Sequence, residues 1–252
     1  MIIITGPGRS GTSIIAQLYQ ELGFDPGGTW DPKVNAGLES PDIVAVNDAI
    51  QKELGIETLL GVSSDFRYRF PKIYSFGSII KPLLPQGIRK RVRPMLILMN
   101  ASKDVQLVRW EKLADVAKKY KIVLHDISDS HIVAKDPRFC WTLMVWAVVG
   151  VQIEKVLICV RSINSMVRSR FSAGHLKVRS MSKAKNSLIY GMGLCITALH
   201  TYNIEYNIIQ FPSFLRQPRK LYAAMVFPTP IEYAQFLHVF NHVVDLNKVH
   251  EK

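Results

Sequence analysis

The feature that most constrains this chain is a glycine-rich loop between a predicted strand and a predicted helix. Three β-branched residues at 2–4 lead into the sequence GPGRSGTS at 6–13. Apolar residues then recur at helical spacing, namely Ile14, Ile15, Leu18 and Leu22. A strand, a glycine loop and a helix in this order point backbone N–H groups and a helix N-terminus at a bound phosphate. We therefore expect residues 2–22 to form a phosphate-binding βα unit.

The loop fits the spacing of the nucleotide-phosphate loop G-x-x-x-x-G-K-[ST], apart from one position. Thr12 stands where that pattern has its lysine, and the basic side chain is Arg9, inside the loop. In nucleoside triphosphatases the lysine reaches the β- and γ-phosphates, and a threonine cannot carry that charge. The loop therefore predicts a different kind of anion site, and a plain glycine turn between strand and helix is the alternative.

Strands and helices alternate along the rest of the chain. The pattern predicts buried strands at 132–134 and 155–160, a short strand at 206–210, and a Gly/Pro/Asp-rich loop at 23–37. Predicted helices lie at 41–55, 105–120, 137–149, from 162 onward, at 183–201, 215–225 and 230–244. This order is typical of an α/β fold in three layers, with a central, mainly parallel β-sheet flanked by helices. Ligands of such folds lie at the carboxyl ends of the strands.

The net charge of +12 comes from two segments that contain no acidic residue. Nine Lys or Arg lie between Asp65 and Asp104, and eight lie between Glu154 and Glu205. Such segments are expected where an anion is held, and the alternatives are solvated basic faces or a nonspecific nucleic-acid or membrane patch. Residues 61–103, with four prolines and many aromatic and basic residues, predict an insert or lid on a single domain of residues 1–252.

A second candidate anion-binding motif follows the strand at 155–160. Arg161 stands at the end of that strand, and Ser169 lies two turns into the next helix. Both side chains can therefore converge on one anion, although an exposed arginine and an ordinary helical serine are the alternative. Together with the glycine loop, the pair indicates a ligand with phosphates at both ends.

With these motifs, the chain resembles the sulfotransferase family that uses 3′-phosphoadenosine 5′-phosphosulfate (PAPS), in its bacterial and Golgi-like branch. GPGRSGTS resembles the 5′-phosphosulfate loop of that family, VRSINSMVRSRF its 3′-phosphate motif, and IVAKDPRF its strand-end K-D-P-R. The similarity covers residues 2–171 without 61–103. The family's C-terminal R-K-G-x-x-G motif is missing, and Arg219-Lys220 is a weak substitute.

The resemblance implies a P-loop fold and sulfuryl transfer from PAPS to a hydroxyl or amine, with adenosine 3′,5′-bisphosphate as the product and no metal. It implies that Arg9 and Lys135 stabilise the oxygen that becomes anionic as the S–O bond breaks. The residues that it assigns to the nucleotide are Gly8, Arg9, Ser10, Gly11, Thr12, Ser13, Arg161 and Ser169.

The general base has several candidates. The segment 35–39 resembles the family's N-x-G-x-E pattern, which makes Glu39 the first candidate. Asp136 is the second, and His125 and His131 are further ones. Glu39 can instead cap the helix that begins near residue 41, and Asp136 can instead pair with Arg138.

Composition limits the class of protein. Hydrophobic residues make up 48% of the chain and charged residues 21%, which predicts a packed core. Three widely spaced cysteines, Cys140, Cys159 and Cys195, predict buried free thiols in preference to disulfides or a metal site. The most apolar window, 141–160, contains two charged residues, so we expect no membrane span there. Without a signal-peptide pattern, a cytoplasmic location is expected.

Two other functions stay open at this point. A P-loop small-molecule or nucleotide kinase with an atypical loop would use Asp136 to bind Mg²⁺. A non-enzymatic basic module would bind nucleic acid or an acidic glycan through residues 66–93. For the sulfotransferase we expect a small-molecule, glycan or lipid acceptor, anionic if the basic insert recognises it, and no specific nucleic acid.

Overall fold

The computed structural model describes residues 1–31, 36–56, 110–172 and 181–244. The insert predicted at 61–103 lies outside these residues, as do the first residues of the helix predicted at 105–120.

Four parallel strands form the central sheet. In chain order, the strands of the described residues are β1 (Ile2–Thr5), β2 (Trp30–Asp31), β3 (Ala36–Gly37), β4 (Val133–Lys135), β5 (Lys155–Val160) and β6 (Tyr206–Gln210). The central sheet has the order β4-β1-β5-β6, with every neighbouring pair parallel. β2 and β3 form a separate antiparallel pair of two residues each, in a segment predicted as a loop.

Helices follow the strands as predicted. Those of the described residues are α1 (Thr12–Glu21), α2 (Pro41–Glu53), α3 (Leu113–Ser130), α4 (Phe139–Val148), α5 (Ile163–Ser172), α6 (Met181–Thr201), α7 (Pro218–Ala224) and α8 (Tyr233–Val243). The predicted end of α3 at residue 120 was wrong, because the helix continues to Ser130. Ile122 and Val123 are apolar but exposed, so they obscure the helical spacing of the buried positions in the sequence. Leu124 and Ile127 are buried and continue that spacing beyond residue 120.

The sheet separates two apolar clusters, because successive residues of a strand face opposite sides. Ile3 faces the side covered by α2, α3, α4 and α6, where Phe139 and Trp146 are buried. Ile2 and Ile4 face the other side, which α1, α7 and α8 cover. The predicted α/β fold with a parallel central sheet between helical layers is therefore confirmed.

The three cysteines are free and buried, as predicted. Among the described residues, no helix has both the length and the apolar character that crossing a membrane requires.

Candidate functional site

The glycine loop, residues 6–13, connects β1 to α1 at the carboxyl edge of the sheet. Gly6 has a φ of 149°, and a Cβ on it would lie 2.1 Å from the carbonyl oxygen of Cys159 in β5. Gly11 has a φ of 95°, and a Cβ there would lie 2.8 Å from the ring of Phe211. Only glycine therefore fits at these two positions, where the loop meets β5 and the residue after β6.

Arg9 adopts a left-handed backbone conformation, with a φ of 74°. For a residue other than glycine this conformation costs about 1–3 kcal/mol, and such strain is common at functional sites. The Arg9 Nε donates a hydrogen bond to Ser169 Oγ at 3.1 Å. The glycine loop and the motif after β5 therefore meet, as the sequence analysis expects of residues that bind one ligand.

Ser10 offers an unused hydrogen-bonding group in the same loop. Its side chain is fully buried, and its Oγ has no hydrogen-bond partner in the described part of the chain. Leaving a buried hydroxyl unsatisfied costs about 1–3 kcal/mol. Gly11, which precedes α1, has no side chain to cap the helix. The hydroxyl and the first N–H groups of α1 therefore suit an anion with several acceptor oxygens.

Arg161, directly after β5, adds a second guanidinium to this edge. Its guanidinium carbon lies 5.0 Å from the centroid of the Phe211 ring. Burial lowers the pKa of Arg161, and the positive charge of Arg9 lowers it further. The two cations are thus close enough to repel each other, and an anion bound between them would relieve that repulsion. We call Arg9, Arg161 and Ser169 the arginine group.

Phe211 is a site residue that the sequence analysis missed. Its ring lies against both Gly11 and Arg161. Its place directly after β6, at the same edge as the other strand ends, is the signal that could have identified it.

Lys135, the last residue of β4, is only 1% exposed. Its Nζ donates hydrogen bonds to Ser13 Oγ at 3.2 Å, to the carbonyl oxygen of Gly37 at 2.8 Å and to Glu39 Oε1. Burial lowers the pKa of Lys135, and the charge of Glu39 offsets part of that effect. A buried ammonium requires such partners. We call Lys135, Ser13 and Glu39 the lysine group.

Glu39 is a partly exposed member of the lysine group. Ser40, and not Glu39, precedes the first turn of α2, so Glu39 is not the residue that caps this helix. The Glu39 side chain keeps 27% of its surface exposed while it contacts Lys135. The Glu39 side chain is therefore open to solvent beside the buried lysine.

Asp136 occupies a different environment. It is fully buried, and its oxygens accept hydrogen bonds from the Arg138 N–H at 2.9 Å, from Arg138 Nη1 at 3.1 Å and from Asn47 Nδ2 at 2.9 Å. Burial lowers the pKa of Arg138, but the charges of Asp136 and Asp48 outweigh burial and leave this pKa above its ordinary value. The predicted alternative, an ion pair with Arg138, is present, and Asp136 has no exposed atom for a substrate.

The two histidine candidates contact neighbouring helices or loops. His125 Nε2 lies 3.1 Å from the carbonyl oxygen of Val149. His131 Nε2 lies 3.1 Å from Ser40 Oγ, next to Glu39 in the chain. Of the remaining loop residues, Thr12 is buried at the first position of α1, and Gly8 lies within the loop.

Comparison with known proteins identifies no relative of this chain. No protein-family model, no curated protein and no solved structure matches it. A function must therefore follow from the arginine group and the lysine group, which both contain residues of the glycine loop.

Proposed function

We propose that this protein is a PAPS-dependent sulfotransferase. The observation that carries the proposal is the hydrogen bond from Arg9 to Ser169, which brings the glycine loop and the motif after β5 together. A ligand with a phosphate at its 5′ position and another at its 3′ position would contact both segments at once.

The described residues fit such a nucleotide. Ser10, with its unpartnered hydroxyl, the first N–H groups of α1 and the Arg9 side chain are suited to the 5′-phosphate. Arg161 and Ser169 are suited to the 3′-phosphate, since a guanidinium and a hydroxyl both donate to phosphate oxygens. Gly6 and Gly11 keep the loop close to β5 and Phe211.

Catalysis of this transfer requires charge stabilisation and positioning more than covalent chemistry. PAPS, when bound, supplies the sulfuryl group and leaves as adenosine 3′,5′-bisphosphate. Arg9 and Lys135 place positive charge where negative charge develops, and one such preorganised donor typically contributes roughly 3–4 kcal/mol. Glu39 accepts the proton of the attacking hydroxyl or amine, and Lys135 holds its carboxylate in place.

The acceptor in this proposal is a small molecule, a glycan or a lipid that approaches the exposed side of Glu39. We place the reaction in the cytoplasm, where free thiols such as Cys140, Cys159 and Cys195 stay reduced.

The same geometry offers less support to a kinase. The loop has no lysine at Thr12, and the carboxylate expected to bind Mg²⁺, that of Asp136, is enclosed by Asn47 and Arg138. A non-enzymatic basic module depends on residues 66–93, which lie outside the described residues. It also gives no role to a buried lysine paired with a partly exposed glutamate.

Thermal unfolding with three nucleotides tests the proposal. Adenosine 3′,5′-bisphosphate at about one hundred times its dissociation constant should stabilise the protein by about 2.7 kcal/mol. Adenosine 5′-monophosphate, the matched control without the 3′-phosphate, should stabilise it much less at the same concentration. Stabilisation by ATP with Mg²⁺ alone would contradict the proposal, and equal effects of the two adenosine phosphates would remove the role of Arg161 and Ser169.

A further inference from the structure

Phe211, the first residue after β6, is held in place by two neighbours. Its N–H donates a hydrogen bond to the carbonyl oxygen of Val160 at 2.8 Å, which attaches it to the end of β5. Its ring packs on that of Phe214, with 5.8 Å between the centroids and 59° between the planes. Phe214 is only 6% exposed and belongs to the apolar cluster that α1, α7 and α8 cover. The core of the protein therefore supports the Phe211 ring.

The same ring lies against the glycine loop. A Cβ on Gly11 would lie 2.8 Å from Cδ2, 3.0 Å from Cγ and 3.2 Å from Cβ of Phe211. The phenyl group therefore fills the space that a side chain at Gly11 would need. Because Gly11 directly precedes α1, the ring reaches the start of the helix whose first N–H groups are assigned to the 5′-phosphate in the proposed function.

The guanidinium of Arg161 lies over the face of this ring. Its central carbon is 5.0 Å from the ring centroid, within the roughly 6 Å over which an aromatic face attracts a cation. Arg161 also directly follows Val160, the residue that binds the Phe211 N–H. Phe211 therefore contacts both the glycine loop and the arginine that is assigned to the 3′-phosphate.

Arg161 requires such a contact to stay near the glycine loop. Burial lowers its pKa, and the charge of Arg9 lowers it further, so the two guanidinium groups repel each other. No salt bridge of the described residues gives Arg161 a carboxylate that would offset this repulsion. Attraction to the ring face opposes it.

An aromatic partner suits an arginine that must bind an anion. A carboxylate would also hold the guanidinium, but it would accept the N–H groups and balance the charge that a phosphate needs. A ring face attracts the cation and leaves the N–H donors in the guanidinium plane available. The arginine is thus ordered before the anion binds, which reduces the entropic cost of binding.

We propose that Phe211 is a positioning residue that holds Arg161 beside the glycine loop and so makes the site select nucleoside 3′,5′-bisphosphates over 5′-monophosphates. The identity of the nucleotide rests on the proposed function. The placement of Arg161 over the ring can be measured without any nucleotide.

The NMR signals of the Arg161 side chain provide the nucleotide-free test. Protons over the face of an aromatic ring are shifted upfield by the ring current. In the wild type, the Hδ and Hε signals of Arg161 should lie upfield of those of Arg168, which is exposed on α5. Phe211→Leu should move the Arg161 signals to the position of the Arg168 signals, whereas Phe211→Tyr keeps a ring face and should preserve the upfield shift.

Calorimetric titration with two nucleotides tests the selectivity. Phe211→Leu should weaken binding of adenosine 3′,5′-bisphosphate by about three- to tenfold, the factor expected when one flexible side chain must be ordered on binding. Its affinity for adenosine 5′-monophosphate should stay close to that of the wild type, because leucine still fills apolar space beside Gly11. Phe211→Tyr should restore the affinity for the bisphosphate.

Phe24→Leu is the matched control for a general loss of aromatic packing. Phe24 is also a partly buried phenylalanine packed on the same apolar cluster, and its ring lies 6.3 Å from that of Tyr19 in α1. Its substitution should lower the thermal stability but leave the Arg161 signals and the ratio of the two nucleotide affinities unchanged.

Identical Arg161 signals in the wild type and in Phe211→Leu would overturn the inference. An equal loss of affinity for the two nucleotides in Phe211→Leu would also overturn it, because the ring would then contribute to nucleotide binding without favouring the 3′-phosphate. Failure of the wild type to bind adenosine 3′,5′-bisphosphate would instead refute the proposed function, and the Arg161 signals would still decide whether Phe211 positions that arginine.

Discussion

At the scale of single residues, the proposed nucleotide site depends on two arginines that repel each other. Arg9 holds a strained backbone conformation and contacts Ser169, and Arg161 feels the charge of Arg9. Neither arginine has a carboxylate partner among the salt bridges of the described residues. An anion is the partner that this arrangement favours.

Arg161→Ala should weaken binding of adenosine 3′,5′-bisphosphate by about 10- to 100-fold. Hydrogen bonds to charged groups contribute about 1.5–3 kcal/mol, and about 1.4 kcal/mol corresponds to a tenfold change in the dissociation constant. Calorimetric titration measures this change. Arg168→Ala removes the same charge from an exposed position of α5 and should alter the dissociation constant by less than about threefold. Equal losses in the two variants would mean that net charge alone attracts the nucleotide.

Glu39→Gln should lower the rate of sulfuryl transfer by about 10²- to 10⁴-fold, since a general base typically contributes this much. Its dissociation constant for adenosine 3′,5′-bisphosphate should stay close to that of the wild type. Transfer of radiolabelled sulfate from PAPS to a pool of hydroxyl and amine acceptors measures the rate.

Glu53→Gln is the matched control for Glu39→Gln. Glu53 is also a lysine-bound glutamate, but its partners are Lys119 and Tyr120, away from the glycine loop. Its substitution should leave the transfer rate unchanged. Full activity of Glu39→Gln would exclude Glu39 as the base.

At the scale of elements, a buried polar network attaches α2 to β4 and α4. Asn47 donates to Asp136 at 2.9 Å and accepts from Thr142 Oγ1 at 2.7 Å and from Trp146 Nε1 at 2.9 Å. Arg138 bonds Asp136 and also Asp48 of α2. Because Glu39 lies two residues before α2, this attachment limits how far Glu39 can lie from Lys135.

Asp136→Asn should lower the free energy of unfolding by about 3–5 kcal/mol, because it leaves the charge of Arg138 without its buried partner. Asp48 is the second partner of Arg138, and its side chain is 52% exposed. Asp48→Asn should therefore lower the free energy of unfolding by less than about 1 kcal/mol. Urea denaturation measures both values. Equal losses of unfolding free energy in the two variants would show that the buried Asp136–Arg138 pair stabilises the protein no more than the Asp48–Arg138 pair does.

At the scale of the whole molecule, the strand order places the two groups of site residues on opposite sides of β1. β5 and β6 lie on one side and bring Arg161 and Phe211, whereas β4 lies on the other side and brings Lys135. The glycine loop lies between them at the end of β1. In the proposed function, the nucleotide follows this edge from its 3′-phosphate near β5 to the reacting group near β4.

The amino-acid sequence by itself determined the elements and the order in which they occur. The continuous apolar run at 155–160 predicts a strand that is buried on both faces, and it matches β5 residue for residue. The short strand predicted at 206–210 likewise has the bounds of β6, although only Ile209 of that strand is buried. The glycines likewise predicted where the loop lies, because glycine readily adopts the positive φ values found at Gly6 and Gly11. The sequence also placed Arg9, Lys135 and Arg161 at strand ends.

Only the tertiary structure decided which of these residues meet. The contact of Arg9 with Ser169, the ring of Phe211 against Gly11, and the pairing of Glu39 with Lys135 join segments far apart in the chain. Asp136 and Glu39 are both carboxylates near a lysine, yet one is fully buried with Arg138 and the other is partly exposed. Such differences arise because burial and pairing depend on how whole elements pack, and no local pattern of residues records that packing.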